Sequence, residues 1–151
     1  MNKPLLGILI SVLLVPAAIA DMLDQHRWQD RVLVLVAPSE DNAGLQKQRQ
    51  MIQARQDAIA DRNLRIYELT GSQGSLDQQT LQTDDVTALR QHLGLAPEDR
   101  LMILLGLDGE VKRRAPLDTP LSDFFRQIDR MPMRQADIRA KRAAGMTVTK
   151  P

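Results

Sequence analysis

The run Val32-Leu33-Val34-Leu35-Val36-Ala37, five consecutive aliphatics closed by alanine, constrains the fold more than any other stretch. It is too short for a helix and has no polar position to turn toward water, so it predicts a strand buried on both faces. Such a strand needs structure layered on either side of its sheet, which places the chain in the α/β class. Arg100 to Leu107 predicts a second strand of the same kind.

The segments around these runs supply the other elements. Ser39 to Asp61 carries Leu45, Ile52 and Ile59 at seven-residue intervals and predicts one helix with a narrow apolar stripe. Asn63 ends it, and Leu64 to Leu69 alternates as a strand. Thr70 to Thr83, rich in Gly, Ser, Gln and Asp, predicts an exposed loop. Asp84 or Asp85 can cap a short helix, Val86 to Leu93, that stops at Gly94. Asp108-Gly109 is a hairpin signal, returning through the charged edge strand Glu110 to Arg114. Thr119 and Pro120 then read as the cap and first residue of a helix carrying Leu121, Phe124, Phe125, Ile128 and Met131.

A parallel pair joined by a crossover helix, followed by an antiparallel pair joined by a tight turn, is the element order of a thioredoxin-like fold. The expectation is a central four-stranded mixed sheet flanked by helices. The domain should run from 21 to 131, followed by a basic helix over 132–144 and a flexible tail over 145–151.

The first twenty residues stand apart. Lys3, the apolar stretch Leu5 to Val15 and the small-x-small sequence Ala18-Ile19-Ala20 form a secretory signal peptide pattern with cleavage before Asp21. The apolar stretch is too short to span a bilayer. An exported protein, periplasmic or secreted and without a transmembrane segment after cleavage, is the expectation. From Asp21 to Asp129 there are 13 basic against 18 acidic side chains, while Arg130 to Pro151 carries six basic residues against Asp137 alone. A basic tail suits an acidic cell-surface ligand or a protein partner. Nucleic acid is not expected, because the tail lacks the aromatic stacking groups that single-strand binders use.

The chain has no cysteine and two histidines, His26 and His92. That removes thiol redox chemistry and thiolate metal sites, and no spacing suggests a metal or cofactor.

Three sets of residues resemble a known family: Arg31-Val32-Leu33-Val34 leading to Ala37-Pro38-Ser39; Leu104-Leu105-Gly106 with Asp108-Gly109 and Val111-Lys112; and Ile128-Asp129 with Met131-Pro132-Met133-Arg134. They are similar to the motifs of domain of unknown function 4174, a family of small exported bacterial proteins also found in vertebrate extracellular proteins such as sushi-repeat proteins and equarin. The resemblance implies a thioredoxin-like or peroxiredoxin-like fold and supplies no catalytic residues.

Two candidate surfaces follow. In thioredoxin-like redox enzymes the turn after the first strand holds the reactive cysteine; here it reads Pro38-Ser39-Glu40-Asp41. Serine has no oxidation ladder, and Pro97, three residues before Arg100, is misplaced for the proline that usually faces that turn. Ser39 is expected as the helix N-cap rather than a nucleophile, since acids flank it and no Gly-x-Ser-x-Gly elbow surrounds it. The second surface is Met131-Pro132-Met133-Arg134, where proline forces a bend and two methionines offer an adaptable apolar contact. The sequence thus favours an exported, noncatalytic interaction module of unknown partner. The alternative is a non-thiol, hydrolase-like enzyme using the Pro38 to Asp41 turn.

Overall fold

The structure, a computed structural model, describes residues 22–151; the signal peptide pattern over 1–20 lies outside them. After a short helical turn at 22–24, the elements are β1 (Arg31–Ala37), α1 (Ala43–Ala54), α2 (Gln56–Asp61), β2 (Leu64–Thr70), β3 (Gln73–Leu76), β4 (Gln79–Thr80), α3 (Thr83–Leu93), β5 (Leu101–Leu105), β6 (Val111–Pro116), α4 (Leu121–Asp129) and α5 (Pro132–Ala143). The strands form one six-stranded mixed sheet in the order β4-β3-β2-β1-β5-β6.

All seven residues of β1 are buried, as an unbroken apolar strand between two layers must be. Successive side chains point to opposite faces, so β1 divides between two cores. Leu33, Leu35 and Ala37 pack with Leu45, Ile52 and Ile59 of the first two helices and with Phe124, Phe125 and Ile128 of α4. Val32, Val34 and Val36 pack with Val86, Leu89 and Leu93 of α3 and with Tyr67. Phe124 and Phe125 are fully buried, each contributing about 1.5–3 kcal/mol of apolar burial.

β1 runs parallel to β2 with Arg31 opposite Leu64, and antiparallel to β5 with Val34 opposite Ile103. β6 lies antiparallel to β5 at the outer edge, where its charged residues were expected. The turn between them is closed by Gly109, whose φ of 79° needs glycine, with the Gly106 N–H donating to the Glu110 carbonyl at 3.0 Å.

Four expectations are corrected. The sheet has six strands, not four, because the supposed loop over 70–83 contains the hairpin β3–β4. Its turn residues Asp77 and Gln78 both have positive φ, 47° and 71°, which suits a two-residue hairpin turn without the Asn-Gly or Asp-Gly pair that advertises one. The single helix over 39–61 begins four residues late, at Ala43, and is broken at Arg55, where φ is −127°. Ile59, on the second of the two helices, still packs in the same core as Leu45 and Ile52. α3 starts at Thr83, putting Asp84 and Asp85 in its first turn, where they complement the dipole instead of capping. Pro120 occupies the N-cap position of α4 and Leu121 is its first residue. The stop at Gly94, with φ of 62°, and the placement of Pro132 in the first turn of α5 stand as read.

Candidate functional site

The turn after β1 is organised around a glutamate. Glu40 accepts from the Thr70 hydroxyl at 2.6 Å and pairs with Arg49 at 2.5 Å, while the Arg49 Nε donates to Glu68 at 2.8 Å. The Thr70 bond, then Arg49, holds the Glu40 carboxyl below its ordinary value. These bonds link the end of β1 to α1 and to the end of β2.

Ser39 is exposed and its hydroxyl donates to Asp41 at 2.5 Å, so it does not cap the helix. The cap is Asn42, whose side chain accepts from the Leu45 N–H at 3.2 Å, the reach an N-cap needs. His26, the histidine ahead of β1, has its ring nitrogens bonded to Asp30 and Tyr67 at 3.1 and 3.0 Å. His92 is exposed on α3. Pro38, Ser39, Glu40 and Asp41 therefore share one turn, with Ser39 set against a carboxylate. A groove of about 780 Å³ lies beside α1 and β2, and its cations are paired across it, Arg49 with Glu68 and Arg65 with Asp77.

At the carboxyl end the four candidate residues separate. Met131 is half-buried against the core and Met133 is 53 % exposed, with Pro132 between them. Arg134, expected on the same surface, is 0 % exposed. It points inward because α5 packs this face against Asp61 of α2 at 2.5 Å and Asp129 of α4 at 3.2 Å, with Asp137, one turn along α5 itself, at 2.5 Å. Asp61 also accepts from Lys141 at 2.8 Å and from the Thr149 hydroxyl and N–H at 2.9 and 3.1 Å. Burial alone would raise the Asp61 carboxyl, but the bonds from Lys141, Arg134 and Thr149 outweigh it and hold the group far below the usual range. Arg62, also fully buried, pairs with Asp129 at 2.6 Å, donates to Thr149 and lies 4.6 Å over the Phe125 ring. The segment 145–151, expected as a flexible tail, is held by these Thr149 bonds and by Arg55 donating to the Lys150 carbonyl at 2.9 Å.

Met131, Pro132 and Met133 meet Trp28 and Leu107, which the sequence did not single out, and residues of the other two motifs. Together with Trp28, Leu107 and Gly106 they line a pocket of about 160 Å³, with Arg31, Asp108 and Lys112 contributing its polar groups. Trp28 is 63 % exposed and sits in a left-handed turn with φ of 64°, its N–H donating to the Leu107 carbonyl at 2.6 Å. Gly106 leaves room for the Lys112 side chain, which would lie 2.6 Å from a Cβ there. Arg31 is 4 % exposed; its Nη1 donates to the Arg62 carbonyl at 2.8 Å and its Nε has no partner among the described residues. Burial, reinforced by the charge of Arg134, pulls the Arg31 guanidinium below its ordinary value. The signals were present: Trp28 is the one tryptophan of the chain, and Arg31 is the charged residue heading an otherwise apolar strand.

A family model described as Domain of unknown function (DUF4174) matches residues 22–137, which includes both candidate surfaces and the Arg134 cluster except Lys141 and Thr149. The chain belongs to this family. The DUF4174 chain is also similar to coiled-coil domain-containing protein 80 of Danio rerio, at 23% identity over 148 residues. The match takes in 87% of this chain and spans only 17% of that relative's length. No solved structure matches this DUF4174 chain.

Proposed function

We propose that the protein is an exported, noncatalytic binding module on a thioredoxin-like scaffold, and that it meets a protein partner through Trp28, Leu107, Met131, Pro132 and Met133. The scaffold reading is supported by the sub-sheet β2-β1-β5-β6, with one parallel and two antiparallel pairings; β3 and β4 are then an inserted hairpin at its edge. Export is supported by the leader pattern of Lys3, Leu5 to Val15 and Ala18-Ile19-Ala20. Mass spectrometry of the native protein should find Asp21 at the amino terminus, and an intact Met1 form in the cytoplasm would contradict export.

The observation that carries the binding reading is the exposure of Trp28 and Met133 around one small apolar pocket. Exposed apolar patches mark interaction surfaces, tryptophan is enriched among residues that dominate binding energy, and methionine adapts to varied partners. An acidic polymer is the weaker partner, because Arg134 and Lys141 already face Asp61 and Asp137. Pull-down from the native source with wild type, Trp28→Ala, Met133→Glu and Ser39→Ala as baits tests this. A partner held by wild type and Ser39→Ala, and lost from the other two, is the expected result. Equal retention by all four would reject the surface.

A further inference from the structure

We infer that the Trp28 pocket receives the carboxyl terminus of a partner polypeptide that ends in an apolar residue, with the terminal side chain in the pocket and the terminal carboxylate on Arg31. The inference rests on the binding reading above and names the chemistry that this surface recognises. Its first support is the state of Arg31. A guanidinium that is 4 % exposed would ordinarily face a carboxylate, since an uncompensated buried charge is costly. Arg62 and Arg134 do so, with Asp129 and with Asp61, Asp129 and Asp137. Arg31 instead has a single carbonyl, that of Arg62, and among the described residues no ion pair and no partner for Nε. It lines the pocket in that condition. The other cation there, Lys112, is already held by Asp108 at 2.5 Å and Glu110 at 3.1 Å. The site thus presents one positive group that no carboxylate pairs directly, with only the more distant negative charges of Asp137 and Asp129 acting on it, and it is of the planar, forked type that suits a carboxylate.

The second support is size and shape. A volume of about 160 Å³ accommodates one side chain, comparable to cavities of about 150 Å³ that take a benzene-sized group. Met131, Pro132 and Leu107 make its wall apolar. The rim continues outward over Trp28 and Met133, both more than half exposed, so a chain leaving the pocket has apolar surface to lie on. A free acid of the same size would leave that rim uncovered, which favours a peptide terminus over a small metabolite.

The chain's single tryptophan stands at the rim and reports binding directly. Trp28 fluorescence of the purified protein is titrated with acetyl-Gly-Ser-Gly-Leu as the free acid, with the same peptide as its terminal amide, and with 4-methylpentanoate. The free-acid peptide should bind at least tenfold more tightly than the amide and than 4-methylpentanoate. Arg31→Gln should reduce the acid to the level of the amide without changing the amide, whereas Arg142→Gln, at an exposed cation outside the pocket, should leave the acid preference intact. A purely structural role for Arg31 would weaken acid and amide alike. Equal binding of acid and amide, no response to either, loss of the preference in Arg142→Gln, or 4-methylpentanoate binding as well as the peptide would each overturn the inference. Should Arg31→Gln fail to fold, the acid-to-amide comparison on wild type still decides. If acid and amide bind alike while Met133→Glu still loses its partner, this inference fails and the binding surface stands; if Met133→Glu loses nothing, the surface itself fails.

Discussion

Replacing Arg134 by methionine should cost about 3 kcal/mol of folding stability. The guanidinium is fully buried and bonded to Asp61, Asp129 and Asp137, and its Nη1 also donates to the Asp61 carbonyl at 2.8 Å. Charge-assisted hydrogen bonds contribute roughly 1.5–3 kcal/mol each when broken singly, so their simple sum would be larger. Two effects reduce it. Asp61 keeps Lys141 and Thr149, Asp129 keeps Arg62, and Asp137 is half-exposed to water. Methionine also refills most of the volume and removes the desolvation of one buried charge. What remains is near the lower end of the roughly 3–5 kcal/mol seen when one member of a buried ion cluster is removed. At about 3 °C per kcal/mol for a domain of this size, the melting temperature should fall by about 10 °C. Arg134→Lys should recover less than half of the loss, because one ammonium cannot address three carboxylates from a planar fork. Thermal unfolding followed by circular dichroism at pH 7 provides the assay. A drop below about 3 °C, the scale of an exposed ion pair, would refute the claim that this cluster ties α5 to the body.

Asn42→Ala should destabilise by about 1 kcal/mol in urea denaturation, while Ser39→Ala should be close to neutral, since only Asn42 caps α1. The Asp61 carboxyl is depressed in the folded state, so its contribution is complete above the unfolded value near 4 and is lost as pH falls through the folded one; the melting temperature should stay level down to about pH 5 and decline below about pH 4, and Asp61→Asn should flatten that decline. Burial pushes the hydroxyl of Tyr67, the one tyrosine, up to about 12, so ultraviolet titration should show ionisation delayed well past pH 10, with the associated stability complete below pH 10 and lost as pH rises toward 12.

Much of the fold was legible because it rests on periodicity. The apolar run of β1 announced two buried faces, and the spacing of Leu121, Phe124, Phe125 and Ile128 announced α4. The hairpin β3–β4 is not legible, since Gln78 in a left-handed conformation carries no turn signature and the two short strands are polar apart from Leu76, which packs against the core. The cap was misplaced by three residues because Ser39 and Asn42 are both good capping types, and only the path of the chain decides which reaches a free amide. From sequence Arg134 counts as a surface charge, because the basic excess of the carboxyl end is local whereas Asp61 lies 73 residues earlier. Of the candidate surfaces, Met131 to Met133 could be located from the Pro132 bend. Trp28 and Leu107 could not be joined to them, because that requires knowing how the segment before β1 lies against the segment after β5.

The central claim is that partners meet the protein at the Trp28–Met133 patch and not at the turn after β1. Site-specific photo-crosslinking in the producing cell tests it, with a benzophenone side chain placed in separate variants at Met133, at Ser39 and at Asp57, which is exposed on α2. A discrete crosslinked product is expected from position 133, and none from 39 or 57 beyond the unirradiated background. A product from position 39 with none from 133 would contradict it and move the functional surface to the Glu40 turn.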